Sequence, residues 1–372
     1  MNPMKIFIDC TDLLKWEGNY TGIQTVSINL IKEALLMFSE NCSLVRYDDE
    51  KNIIATVNPE KLNITVNYKN KPQELIFDDN SNFPKDAIFL ITGGAWNNLN
   101  MLDLLIIHKK KHNLKVYSLI YDLIPFIVPY NYQSDFPKIY KKYLTKIINL
   151  SDNILPISQS TKNDLLTYIS HSLLINKKIN VIRLGDRVIT KLTKNKPAYS
   201  DKFILSVGTF EVRKNYQIIY RAYKYAQLIN VELPKIIIVG RKGTLVNDLL
   251  EIISNDKSVE NKIIIKNDVK DNELNKLFQE CLFTIYPSIY EGWGIPIAES
   301  MIYGKACIAS KTSSMVEIAG DLVDYFNPYN EKQLFELIQK YSNDNIRLEL
   351  EKRIIKNYHP TTWKNTLIQM LK

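Results

Sequence analysis

Short apolar runs, each closed by a turn residue or a polar break, set the strongest limit on how this chain can fold. They read KIFID (5–9), AIFLIT (87–92), VYSLIY (116–121), NILPIS (153–158) and INVIRLG (179–185). A second group reads FILSVG (203–208), KIIIVG (235–240), KIIIK (262–266), LFTIYP (282–287) and ACIAS (306–310). Nearly all are apolar on both faces, so each needs cover above and below, which is the condition of a buried parallel strand. Helical patterns lie between them, such as VSINLIKEALLMF (26–38), NYQIIYRAYKYAQ (215–227) and NELNKLFQEC (272–281). Strand–helix alternation with right-handed crossovers predicts an α/β protein built on doubly wound parallel sheets.

At 372 residues the chain is long enough for two such sheets. The polar, aperiodic stretch KLTKNKPAYSD near residues 190–201 is the expected inter-domain linker. The expected division is an N-terminal domain at 1–190, a C-terminal domain at 201–355, and a terminal helix at 356–372. Residues 41–86, rich in Asn and Lys, are expected to form peripheral strands or loops. Residues 333–371 read as helical, interrupted at Pro360. No repeat of fixed period is present.

Hydrophobic residues make up 45% and charged residues 24%, which excludes a disordered tail, a collagen-like fibre and a disulfide-stapled miniprotein. The net charge of +8 admits nucleic acid, anionic membrane or phosphorylated substrates without choosing among them. Cys10, Cys42, Cys281 and Cys307 are scattered without metal-ligand spacing and read as reduced, mostly buried thiols. No run approaches the ~18 apolar residues of a membrane span, and the N-terminus lacks a signal-peptide core. The expectation is a soluble cytoplasmic protein, with a surface contact on the inner face of the membrane left open.

The most informative stretch is YPSIYEGWGIPIAESMIYGK (286–305). A strand ends, a glycine-interrupted loop follows, and Pro296 stands where a helix starts. Gly292 and Gly294 permit close approach of a ligand, and a helix N-terminus offers free N–H groups to an anion. Glu291 and Glu299 cannot bind phosphate, but suit ribose and sugar hydroxyls. On this stretch alone, a plain Gly/Pro turn with Glu299 favouring the helix dipole remains the rival reading.

SIYEGWGIPIAESMIYGK resembles the E-x7-E signature of retaining family 4 glycosyltransferases, which have the GT-B fold. The resemblance continues in VGTFEVRKNYQ (207–217), IIIVGRKG (236–243), IIKNDVKDNEL (264–274), TGIQTVSINL (21–30), YDLIPFIVPYNY (121–132) and LPISQSTKNDLL (155–166), in the family's order. It implies two Rossmann-like domains facing across a cleft, with the terminal helix packed back on the N-terminal one. It also implies transfer of a hexose from a nucleotide sugar to a saccharide acceptor, with no cofactor. The acceptor expected is a lipid-linked glycan, such as one on undecaprenyl diphosphate, in surface polysaccharide synthesis. The TGIQ and YDLIP segments resemble members that use GDP-mannose; UDP- and dTDP-sugars are the alternatives.

Carried onto this sequence, the resemblance gives Glu299 the donor's ribose and Glu291 the transferred sugar. Backbone amides at Gly294 and Ile295 would hold sugar and diphosphate, and Val269 would meet the base through its backbone. Lys214 and Arg213 would neutralise the diphosphate, and Gly22 would let the N-terminal loop approach donor and acceptor. A diphosphate leaving group needs cations and helix-end amides, so these two residues make a divalent metal unnecessary. Tyr121 stands where many members have His, leaving Asp122 as the candidate for acceptor contact or base work, against the rival reading of a turn cap. Thr209 replaces a common Arg, which shifts the phosphate load onto Arg213 and Lys214.

Other features point less far. His108 and His112 in HKKKH lack a third ligand nearby and read as a solvated basic helix end. No GxGxxG follows a strand, so dehydrogenase chemistry lacks its fingerprint. In FPKIYKKYLTKIINL (136–150), Lys138, Lys141, Lys142 and Lys146 share one face, opposite Ile139, Tyr140, Tyr143, Leu144, Ile147 and Ile148. That helix reads as core-facing with a basic side, and anionic lipid is a compatible partner. A nucleic-acid-binding protein is the rival function class; it requires basic residues interleaved with stacking aromatics on one surface, whereas the Tyr residues are spread through helices and strands and no RNA- or DNA-binding motif is present.

Overall fold

The computed structural model describes residues 4–17, 20, 22–65, 74–78, 81, 83–132, 135–187, 202–243 and 246–372. The expected linker at 190–201 lies outside them. Internal contacts divide the chain into two units. One comprises Met1–Phe126, Gln133–Gly185 and Thr361–Lys372; the other comprises Ile127–Tyr132 and Asp186–Pro360. The chain thus changes unit after Pro360, whereas the expected terminal piece began at 356. Residue 356 belongs to the helix Asp344–Asn357, which the buried Arg347 and Ile354 keep with the second unit.

The first unit holds β1 (Ile6–Asp9), β2 (Cys42–Asp48), β3 (Ile53–Val57), β4 (Ile76–Phe77), β5 (Ile88–Ile91), β6 (Lys115–Ile120), β7 (Asn153–Pro156) and β8 (Lys178–Ile179). Their order is β4-β3-β2-β1-β5-β6-β7-β8. β1 pairs in parallel with β2 and β5, Ile6 facing Cys42 on one side and Ile88 on the other. Only β3, from the Asn/Lys-rich stretch, runs against the rest, pairing antiparallel with both β2 and β4. The apolar run at 179–185 is corrected: pairing covers only Lys178–Ile179. The Asn180 and Ile182 amides still bond β7 carbonyls at 3.0 Å, after which the chain leaves the sheet. The last helix, Trp363–Met370, packs on the helix Gly22–Phe38, and Thr366 Oγ1 donates to Arg183 O at 2.8 Å.

The second unit holds β9 (Phe203–Val207), β10 (Lys235–Val239), β11 (Ile263–Lys266), β12 (Thr284–Tyr286), β13 (Cys307–Ser310) and β14 (Asp324–Phe326). The order is β11-β10-β9-β12-β13-β14, all parallel. Phe203, Ile204 and Leu205 are fully buried, each contributing roughly 1.5–3 kcal/mol. β14 was not expected from the sequence; DYF is too short and too polar to stand out. β9 and β12 are neighbours, and their following helices, Tyr216–Leu228 and Ile295–Ile302, lead to opposite sides of the sheet. The loops after these two strands therefore diverge at a topological switch point, where open parallel sheets bind ligands.

Two surface expectations are corrected. His108 is fully buried, edge-on to Phe83 with ring centroids 5.0 Å apart. It stands three and four residues after the buried Leu105 and Leu104, on the inward face of its helix. Ile139 is 43% exposed, because the inward stripe of Phe136–Leu150 is made by Tyr140, Tyr143, Leu144, Ile147, Ile148 and Leu150. Lys146 on that helix is committed to Asp103 at 2.5 Å. Among the described residues no helix is long and apolar enough to cross a membrane. The four cysteines are free and buried, and burial pushes the Cys42 thiol up to about 12.

Candidate functional site

The two loops at the second unit's switch point bring Arg213, Lys214 and Glu291 into one ionic group. Val212–Lys214 is a single 3-10 turn after β9, closed by Asn215 in the left-handed conformation. The Asn215 side chain donates through Nδ2 to Pro287 O at 3.1 Å and Pro328 O at 2.8 Å, tying the loops after β9, β12 and β14 together. The Ile289 amide donates to Arg213 O at 2.7 Å. Register is thereby fixed through backbone as well as side chains.

Glu291 Oε2 accepts from Arg213 Nη1 at 2.8 Å, while Oε1 accepts from Lys214 Nζ at 2.5 Å and Ser288 Oγ at 2.6 Å. Arg213 also pairs through Nε with Glu211 at 2.9 Å. All three charged partners are largely buried, with side chains 13–16% exposed. Burial pushes the Glu291 carboxyl up, but the charges of Arg213 and Lys214 and the hydrogen bonds outweigh it and hold the carboxyl at about 2. Glu291 is an anion in any working buffer. The sequence reading gave the cations to a diphosphate and Glu291 to a sugar; the structure shows them bound to each other.

Gly294 has φ +123° and precedes the helix Ile295–Ile302, whose first turn contains Pro296. A Cβ on Gly294 would meet the movable end of Ile318 at 3.0 Å, so it is the conformation that calls for glycine. The Ile295 end of the helix, Lys214 and Glu291 adjoin one pocket, which Ser206, Tyr286 and Ser288 also line. Thr209 lies in the loop after β9, where Gly240 and Gly243 come so close that a Cβ on Gly240 would fall 1.9 Å from Gly208 O.

Glu299 sits on the same helix, with its side chain 12% exposed. Burial pushes its carboxyl above the ordinary range, and the Arg187 guanidinium, 3.4 Å away, opposes that. Arg187 also reaches Asp271 Oδ2 at 3.3 Å. Val269, between β11 and the helix Asp271–Glu280, packs its side chain on the Phe203–Leu205–Phe278 cluster.

The remaining expected residues belong to the first unit. Gly22 has φ +40° and opens the helix Gly22–Phe38, with only open space where a Cβ would stand. Its requirement for glycine is conformational. Asp122 Oδ1 accepts from the Ile124 amide at 3.0 Å, so the turn-cap reading holds geometrically. Tyr121 is buried, and its hydroxyl donates to Thr92 O at 2.6 Å. The group that stands in the place of the usual His is a core side chain here.

The sequence reading missed Arg187, Glu211 and Ser288. Ser288 left a trace in its spacing of three from Glu291; Glu211 and Arg187 left none, since isolated charges in polar segments are common. Among the described residues no group of three or more His, Cys, Asp or Glu is placed to hold a metal.

Residues 189–359 match the family described as Glycosyl transferases group 1. The chain is 26% identical over 267 residues to the serotype-specific mannosyltransferase WbdA of Escherichia coli, covering 68% of this chain and 32% of that protein. It thus spans about a third of that relative. It is 26% identical over 253 residues to the O-antigen chain mannosyltransferase RfbU of Salmonella typhimurium, covering 64% of this chain and 67% of the relative. Among solved structures, Anabaena Alr3699/HepE in complex with UDP and glucose superposes with a TM-score of 0.66 at 15% identity, covering 99% of both chains. The fold is the GT-B fold of such glycosyltransferases.

Proposed function

We propose that this chain, with its glycosyl transferases group 1 domain at residues 189–359, is a retaining glycosyltransferase moving a hexose from a nucleotide sugar to a saccharide acceptor. The observation that carries this reading is the assembly of Lys214, Arg213, Glu291 and the Ile295–Ile302 helix terminus at one switch point. Breaking the bond between a sugar and a diphosphate sends the bonding electron pair to the phosphate oxygen. Lys214 and the helix-end amides at Gly294 and Ile295 are suited to receive that charge. Glu291, fixed as an anion, is suited to accept hydrogen bonds from the transferred sugar and to favour positive charge developing on its ring. Glu299 takes the ribose, the Val269 backbone the base, and Asp122 the acceptor contact.

Mannose from GDP-mannose is the donor favoured here, supported by the names of the two mannosyltransferases above. The acceptor favoured is a growing surface-polysaccharide chain or its lipid-linked precursor. The leaving-group charge is met by protein cations, so turnover needs no divalent metal. The deciding experiment incubates the protein with GDP-mannose, UDP-glucose, UDP-N-acetylglucosamine and dTDP-rhamnose in excess EDTA. Nucleotide release and the product anomer are followed by NMR. GDP-mannose turnover with an α-linked product is expected. No release from any donor overturns the reading, an inverted anomer overturns retention, and loss on chelation restored by Mg²⁺ overturns metal independence.

A further inference from the structure

Arg187 places its guanidinium between two carboxylates from different elements: Nη1 is 3.4 Å from Glu299 Oε1 and Nη2 is 3.3 Å from Asp271 Oδ2. Glu299 lies on the helix Ile295–Ile302, while Asp271 opens the helix Asp271–Glu280. Arg187 is itself anchored through its neighbour Asp186, a buried carboxylate that accepts from the Tyr358 hydroxyl at 2.9 Å. The Arg187 side chain is 29% exposed and Glu299 12%, whereas Asp271 is 79% exposed. The inner half of the bridge is therefore desolvated and the outer half is wet. A planar fork can span two carboxylates in this way; an ammonium cannot.

We infer that Arg187 is a positioning residue that acts through Glu299, fixing that carboxylate as a two-oxygen acceptor for the ribose of a nucleoside diphosphate. The inference rests on the glycosyl-transfer reading above. A vicinal diol offers two donors to one carboxylate only while that carboxylate is ionised and held in plane. The groups that face Glu299 are the cation Arg187, the acids Asp271 and Asp186, and the phenols Tyr286 and Tyr303. Burial and the two acids favour the protonated carboxyl, and Arg187 opposes them. With Arg187 gone, nothing in that set favours the anion, so Glu299 would take up its proton at higher pH and lose an acceptor.

The test is isothermal titration of GDP and of UDP into the full chain from pH 5 to pH 8, for wild type, Arg187→Met, Arg187→Lys, Glu299→Gln and the Arg187→Met/Glu299→Gln double variant. Arg187→Met should shift the fall in affinity to higher pH, leaving it about tenfold weaker than wild type at the acid end, with most of the deficit recovered at pH 8. Arg187→Lys keeps the charge and should hold the wild-type pH profile. Glu299→Gln cannot ionise, so its affinity should be low and flat with pH, and the double variant should be no weaker than Glu299→Gln alone. A pH-independent loss in Arg187→Met, or losses that add in the double variant, overturns the inference and makes Arg187 a direct or merely structural contact. Binding of neither nucleotide by wild type overturns the glycosyl-transfer reading itself.

Discussion

Lys214 Nζ lies 2.5 Å from Glu291 Oε1, so the cation proposed to receive a diphosphate already has an anion of its own. Arg213 is shared between Glu291 and Glu211 in the same way. Two cations and two carboxylates sum to zero, and an incoming diphosphate must compete for charge that the protein has neutralised from within.

Glu291→Gln should therefore strengthen nucleoside diphosphate binding, by several-fold to about tenfold, while lowering turnover of the intact donor. Sequence reasoning alone, which treats Glu291 as a sugar contact, expects unchanged nucleotide affinity. Titration calorimetry beside steady-state kinetics separates the two. Affinity equal to wild type would show that the Glu291 pairs do not restrain the cations.

The same carboxyl makes the second unit sensitive to acid. Its folded value of about 2 lies below the ordinary 4.5, so its contribution to stability is present above pH 4.5 and is lost as pH falls toward 2. A shift of that size corresponds to roughly 3 kcal/mol. Urea unfolding of the wild type should weaken across that window, and Glu291→Gln should flatten the dependence. A variant curve parallel to wild type would remove Glu291 from the account.

Asp122 can be divided into cap and carboxylate. Asp122→Asn retains an oxygen for the Ile124 amide and should unfold like wild type, whereas Asp122→Ala should lose about 1 kcal/mol. If the acceptor contact is real, both lose turnover, with donor hydrolysis in the absence of acceptor less affected. Full transferase activity in Asp122→Asn would leave only the cap.

Gly240→Ala should be among the most damaging single-methyl changes in the second unit. The new Cβ would sit 1.9 Å from Gly208 O and 2.6 Å from its carbonyl carbon, both backbone atoms. Backbone cannot yield as a side-chain end does, so a loss of ~2 kcal/mol or more is expected, read as a lowered Tm. Gly320→Ser, in open space but at φ +53°, should cost less.

Most of the strands were legible because β9, β10 and β5 are apolar on both faces, and a run of that kind has few places to go. β14 was not, since Asp324 and Tyr325 are half-buried at a sheet edge and leave no pattern. The same contrast governs the site. Glu291 and Gly294 stand in a loop, and Glu299 on the helix that follows it, and the glycine, proline and acidic spacing of that stretch marks it in the sequence. Glu211 and Arg187 gain meaning only from what folding brings beside them: Glu211 from Arg213 two residues on, Arg187 from Glu299 and Asp271 far along the chain. His108 was misread for a related reason, because a basic run hid a residue on the inward face of its helix.

The helix Trp363–Met370 completes a unit whose other parts are made before Gly185. On a ribosome, the first unit to be synthesised is then the last to be finished. Its Gly22–Phe38 helix lacks this partner until Trp363–Met370 has emerged, while the unit between them already has its strands β9–β14. A stalled or clipped chain ending at Pro360 would carry a whole second unit and an exposed apolar seam on the first. Quality control would meet that seam, and the damage would surface more than three hundred residues from the cut.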